Sequence, residues 1–130
     1  MANYCAVVTC RQAFKVKDPN KFEEQLQHYG LASEKDAPQA ELWYDRNGDA
    51  FEIYGYSPLS IYDTEHDEEL PIEQLIQPHL KEGEVCVLME VGYTKCRYTE
   101  GGAFTLIITP SKVKWLDLYQ LTEDAVKSIN

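Results

Sequence analysis

The dipeptide Asn47-Gly48, set between two runs of alternating polarity, places the strongest single constraint on what this chain can fold into. Asn and Gly tolerate the positive φ values of a two-residue type I′ turn, so residues 41–56 read as a β-hairpin. Counting outward from that turn pairs Tyr44 with Phe51 and Leu42 with Ile53 on one face. Glu41, Trp43, Asp45, Glu52 and Tyr54 fall on the other. Both strands agree on which face is apolar, and the opposite face is acidic with large aromatics among the carboxylates.

The rest of the chain can be organised around this hairpin. Residues 3–16 alternate as a strand bent near Arg11. Asp18 and Pro19 then open a helix, with Asp18 as N-cap and Pro19 at the first helical position; Phe22, Leu26 and Tyr29 recur at i, i+4, i+7 before Gly30 ends it. Residues 31–39 read as a connection. Residues 59–62 suggest a short strand leading into a loop over residues 63–69. A brief helix follows from Pro71, with Ile72, Leu75, Ile76 and Leu80 inward and Pro78 ending or kinking it. The run Val85-Cys86-Val87-Leu88-Met89 is apolar at both parities, the pattern of a central strand covered on both sides. Residues 95–98 and 103–109 suggest a second hairpin through Glu100-Gly101-Gly102, with Tyr98 opposite Phe104 and Cys96 opposite Leu106. Residues 113–118 add a strand, and Leu118, Leu121, Ala125 and Ile129 suit a final amphipathic helix with Thr122 as a candidate cap. This order predicts one α+β domain over residues 1–130, a mostly antiparallel sheet packed by two or three helices.

Charge is concentrated where the first hairpin lies. Residues 41–73 hold ten acids (Glu41, Asp45, Asp49, Glu52, Asp63, Glu65, Asp67, Glu68, Glu69 and Glu73) against one base, Arg46, and so carry nine of the chain's ten net negative charges. Part of this run has a purely structural explanation, since Glu68, Glu69 and Glu73 at a helix start would meet the positive end of its dipole. The other carboxylates repel one another without such compensation. An outward Trp43 flanked by Tyr54 and Tyr56 is the kind of aromatic anchor enriched in interface hot spots. A pI near 4.6 disfavours direct nucleic-acid binding, which draws its affinity from clustered Lys and Arg.

The chemistry-bearing residues form no recognisable reaction centre. Asp45, Asn47 and Asp49 imitate the start of a calcium loop, but Ala50 and Tyr56 stand where an EF-hand needs Gly and Glu. No two of His28, His66 and His79 lie at a zinc-ligand spacing. Cys5, Cys10, Cys86 and Cys96 match neither a C-x-x-C redox pair nor a zinc knuckle and read as buried free thiols. Nucleotide, hydrolase and metalloprotease signatures are missing, so neither a catalytic residue nor a cofactor nor a metal is expected. No stretch approaches the roughly 18 apolar residues of a membrane span, and no secretory leader is recognised, so the expectation is a cytoplasmic protein.

At Ala2-Asn3-Tyr4, at Phe14-Lys15-Val16-Lys17-Asp18 and at Leu88-Met89-Glu90-Val91-Gly92, followed by Lys95, Arg97-Tyr98 and Gly102-Ala103, the chain resembles a family of small acidic proteins encoded by phages, plasmids and bacterial mobile elements. The likeness lies mostly in strand and turn residues and departs in the acidic middle, and it carries over no catalytic residue. It implies a setting in which anti-CRISPR or anti-restriction proteins imitate the charge of nucleic acid. The expected function is accordingly non-enzymatic: an acidic module that docks on the basic, nucleic-acid-binding surface of a partner protein. Glu41, Trp43, Asp45, Asp49, Glu52, Tyr54, Asp63, Glu65, Asp67, Glu68, Glu69 and Glu73 would form the contact. The alternatives are a small enzyme or ligand carrier with a pocket assembled from distant residues, and a homo-oligomer that buries Trp43 and the outer hairpin face.

Overall fold

A computed structural model describes residues 4–38, 40–56, 60–63, 68–94 and 103–129, with Tyr4, Cys5, residues 60–63, Glu68, Tyr93 and Thr94 described by their backbone alone. Strand β1 (Tyr4–Cys10) breaks at Arg11 and resumes as β2 (Phe14–Lys15), as the bent alternation predicts. Helix α1 (Pro19–His28) starts as expected, with the Asp18 carboxylate accepting the Lys21 N–H at 3.1 Å and Pro19 in the first turn. Its Phe22 and Leu26 are fully buried.

The hairpin consists of β3 (Leu42–Asn47) and β4 (Ala50–Gly55). Its faces are those the alternation predicts, with Leu42, Tyr44, Phe51 and Ile53 buried and Asp45 and Glu52 exposed. The register, however, differs by two residues: Tyr44 pairs with Ile53, Leu42 with Gly55, and Asn47 with Ala50. The two loop residues are Gly48 and Asp49, with Gly48 taking the left-handed φ of 66° at the first loop position. A shift of two preserves the parity of every side chain, so hydrophobic alternation does not distinguish the two registers. Close packing at Gly55 and the reach of Asp49 to Lys81, at 2.6 Å, belong to the observed one.

Strands β5 (Ser60–Asp63) and β6 (Glu68–Pro71) form a separate antiparallel ribbon, pairing Asp63 with Glu68 and Tyr62 with Glu69. Asp63, Glu68 and Glu69 are therefore strand residues, not loop residues. Pro71 caps helix α2 (Ile72–Ile76), which passes into a 3₁₀ turn over Gln77–His79 at Pro78. Of the three glutamates assigned to a helix start, Glu73 alone lies in the first turn, so dipole compensation does not account for Glu68 and Glu69.

Strand β7 (Cys86–Thr94) is the centre of the sheet, between β1 and β8 (Ala103–Ile108); β9 (Val113–Asp117) follows β8. In spatial order the sheet runs β3, β4, β1 with its continuation β2, β7, β8, β9, and every pairing between these strands is antiparallel. This is the expected α+β domain. The expected partners of β8 are replaced: Leu106 faces Leu88 and Phe104 faces Glu90, because β7 runs unbroken to Thr94 and matches its buried Cys86 and Leu88 with Leu106 and Ile108. The expected turn at Glu100-Gly101-Gly102 lies outside the described residues, as do Cys96 and Tyr98.

Helices α1 and α2 cover one face of the sheet and close a single core that contains Val8, Phe14, Phe22, Leu26, Tyr44, Phe51, Ile53, Ile72, Ile76, Leu80, Leu88, Leu106 and Ile108. The other face is not covered to match: Met89 and Val91 are 44% and 46% exposed, so β7 is not buried on both sides as its composition suggests. The last helix, α3 (Leu118–Ile129), has no buried residue. Asp117 caps it, accepting the Tyr119 and Gln120 N–H groups, while the Thr122 hydroxyl donates back to the Leu118 carbonyl at 2.7 Å and is no cap.

Gly55 leaves no room for a side chain. A Cβ there would stand 2.3 Å from the Glu41 carbonyl oxygen and 2.9 Å from Leu42 Cα, so β3 would have to move. Gly55→Ala is expected to destabilise the fold by about 2–3 kcal/mol, as overpacking does, measured as a lower urea midpoint with an unchanged m-value.

Candidate functional site

The parity that buries Tyr44 also decides what happens to the acidic segment's single base. Arg46 lies on the same side of β3 and points to α1, where Nη1 meets Glu23 Oε1 at 2.7 Å and Nη2 donates to Asn20 Oδ1 at 3.0 Å. Its Nε donates to the Gly48 carbonyl at 2.9 Å, and the guanidinium stands over the Phe51 ring. Each arm of the guanidinium is thereby engaged. The Tyr44 hydroxyl joins the cluster, donating to Glu23 Oε2 at 2.6 Å and accepting from Gln27 Nε2 at 2.9 Å. Glu23 is held below the ordinary carboxylate range, first by the Tyr44 hydroxyl and then by Arg46, while burial and the Glu23 carboxylate raise Tyr44.

On the other face of the hairpin, Asp45 and Glu52 are directly opposite each other across β3 and β4 and both are exposed. Like charges facing across a strand pair destabilise it. Among the described residues neither is in an ion pair. They line a shallow concavity of ≈ 180 Å³ with Ala13, Arg46, Asn47 and Ala50. Tyr54 stands beside them, its hydroxyl 3.4 Å from Asp45 Oδ1, and burial together with the Asp45 charge raises its pKa. Glu41 is exposed at the start of β3.

The other candidate residues divide. Asp49 is neutralised by Lys81 at 2.6 Å, which lowers its pKa, and so leaves the free acidic set. Glu69 is exposed on β6; Glu73 is half-buried, with Oε2 enclosed and without a hydrogen-bond partner among the described residues. Asp63 and Glu68 are partners in the backbone register of the β5–β6 ribbon. Glu65 and Asp67 lie outside the described residues. Trp43 is not the exposed anchor that alternation suggests: it points to the outer face but is 7% exposed, stacked on Tyr54 at 6.3 Å and edge-on to Tyr56 at 5.9 Å. The segment at Ala32 runs beside it, bonding to Leu42 and Tyr44 on the free edge of β3. Trp43 Nε1 is buried without a partner among the described residues.

Several polar groupings have no sequence signature. The Glu23–Tyr44–Arg46 cluster and the Asp49–Lys81 pair join residues far apart in the chain. Cys86 is buried as expected, whereas Cys10 is half-exposed; a hydrogen bond between them lowers the Cys10 pKa, and burial pushes Cys86 up. Glu90 is buried on the core side of β7. Among the described residues no group of three or more His, Cys, Asp or Glu could hold a metal ion, and no helix is long and apolar enough to cross a membrane. Comparison with protein-family models, with curated proteins and with solved structures found no match.

Two outcomes follow from these charges. Because folding lowers the Glu23 pKa, its contribution to stability is complete above the ordinary Glu value of 4.5 and is lost as pH falls through the lowered folded value. Glu23→Gln should therefore lower the denaturation midpoint at pH 7 and flatten its decline on acidification. Asp45→Asn, in contrast, relieves a cross-strand repulsion and should raise the midpoint at low salt by a few tenths of a kcal/mol, a gain that 1 M NaCl removes.

Proposed function

We propose that this chain is a non-enzymatic binding protein that offers its acidic face to a basic groove of a partner protein, with carboxylates standing where nucleic-acid phosphates would otherwise sit. The observation that carries this reading is Asp45 opposite Glu52 on an exposed, strand-built face, while the guanidinium of Arg46, the only base of residues 41–73, is engaged by Glu23 and Asn20; Lys15 of β2, opposite Ala50, is the cation that shares the face of Glu52. Carboxylates held on paired strands keep a fixed spacing. An arginine or lysine from a partner would find two acceptors and relieve their mutual repulsion, a gain available only in the complex. Asp63 and Glu68 are backbone register partners on a second ribbon. Concentration of nine net negative charges in residues 41–73 favours fast, electrostatically steered association.

The resemblance to small acidic proteins of phages, plasmids and mobile elements supports a narrower form of the reading: an anti-defence inhibitor acting in the bacterial cytoplasm, in the manner of nucleic-acid mimics that occupy restriction or CRISPR machinery. Such a partner binds nucleic acid at the groove the inhibitor fills, so the two compete.

The intact chain, immobilised and exposed to bacterial lysate at 50 mM NaCl, is expected to capture nucleic-acid-binding proteins that both 500 mM NaCl and excess duplex DNA release. Asp45→Lys with Glu52→Lys should weaken capture on the order of tenfold or more, whereas Glu34→Lys, an exposed reversal outside the acidic segment, should not. Capture that ignores salt, duplex DNA and the double reversal would refute the proposal.

A further inference from the structure

Outside the acidic end, the outer face of the sheet is mainly apolar, and among the described residues only the start of α3 leans on it. Val7 on β1, Met89 and Val91 on β7 and Leu116 on β9 share this face, and with Leu118 and Leu121 of α3 several of them border a groove of ≈ 290 Å³. Helix α3 has the complementary defect. Its Leu118, Leu121, Ala125, Val126 and Ile129 form one stripe, its Glu123, Asp124 and Lys127 the polar side, yet Leu118 is 54% exposed and Ile129 83%. The helix leans on β8 and β9 at its start and carries the rest of its stripe past them. An amphipathic helix derives most of its stability from packing its apolar face, and contiguous apolar surface of this kind marks an interaction site.

We propose that this face is the interface of a homodimer, in which α3 of each copy lies across the outer sheet face of the other. Three observations select a second copy as the occupant. The chain presents both halves of a helix-on-sheet contact, and a two-fold axis sets each half against its complement, which is the condition for an isologous interface. The twelve residues of α3 span about 18 Å, close to the ~14 Å across β1, β7, β8 and β9. Residues 103–129 carry three lysines and three acids and are neutral, so two highly acidic chains can meet here with the charge of residues 41–73 held apart.

The area is also adequate. The exposed parts of Val7, Met89, Val91, Leu118, Leu121, Val126 and Ile129 amount to roughly 600 Å² per copy, which a polar rim brings to the ~800 Å² per partner of a standard interface. Association through the sheet edge is less suited, because Lys112 and Lys114 guard β9 in the way natural edge strands are protected. This interface is distinct from the outer hairpin face around Trp43, which the chain already fills with its own Tyr54 and Tyr56.

Sedimentation equilibrium of the intact chain at about 50 µM, in 0.1 M and in 1 M NaCl, tests the proposal. The expected mass is twice the 14.9 kDa of the chain at both salt concentrations, since apolar burial is not screened. Val91→Glu and Val126→Glu, each at an exposed position, should raise the dissociation constant at least tenfold while the far-ultraviolet circular dichroism and melting of the protein stay cooperative. Asp45→Lys with Glu52→Lys should leave the dimer intact. A monomer at both salt concentrations, or a dimer indifferent to both glutamate substitutions, would overturn the inference.

Discussion

The edge-on contact between Phe22 of α1 and Phe51 of β4, with ring centroids 4.9 Å apart, fixes the side of the hairpin that faces the core. Phe14 and Tyr44 close around the same pair, at 6.0 Å from Phe22 and from Phe51 respectively. Once Phe51 is inward, pleat alternation sends Glu52 outward, and pairing with β3 sends Asp45 out beside it. The same contact brings α1 near enough for Glu23 and Asn20 to hold Arg46. An aromatic cluster thus determines both that two carboxylates face solvent together and that the guanidinium of Arg46, from the same hairpin, is engaged by α1.

The sheet that results has one face packed into the core except at β9, where Val113 and Trp115 stay 38% and 46% exposed, and one divided face. Beneath α1 and α2 it is a close-packed core. On the other side it is acidic over β3 and β4 and mainly apolar over β7, β8 and β9, where Thr105 and Lys114 also lie, with Trp43 folded into its own aromatic stack. This division would place the two proposed contacts on separate parts of one sheet. Charge would govern encounter with a basic partner and weaken with salt; apolar burial would govern contact between copies and would not.

Much of this was legible from residue order. Asp18, Pro19, Phe22 and Leu26 specify α1 because capping and periodicity are local, and the two hairpin faces follow from alternation alone. What alternation cannot convey is register: the Asn47-Gly48 and Gly48-Asp49 turns give identical faces, and the choice rests on Gly55, against Glu41, and on Lys81, thirty-two residues from Asp49. Likewise the apolar run at Cys86 to Met89 specifies a central strand but not whether both faces are covered. Trp43 looks exposed from its parity because nothing local reveals that residues near Ala32 return to the edge of β3. Glu68 and Glu69 resemble a helix start by proximity to Pro71, yet Pro71 itself closes a strand. Of the candidate site, Asp45 and Glu52 were readable from the sequence; the diversion of Arg46 and the neutralisation of Asp49 depend on contacts formed only in the folded chain.

The most direct test of the central claim is amide chemical-shift mapping of the intact protein titrated with an arginine-rich peptide, which isolates the chemistry of a basic groove from any particular partner. Perturbations concentrated on residues 41–56 and 60–73, centred on Asp45 and Glu52 and vanishing by 0.5 M NaCl, are the predicted result. Perturbations spread evenly over the chain, or centred on β7 to β9 and insensitive to salt, would contradict it.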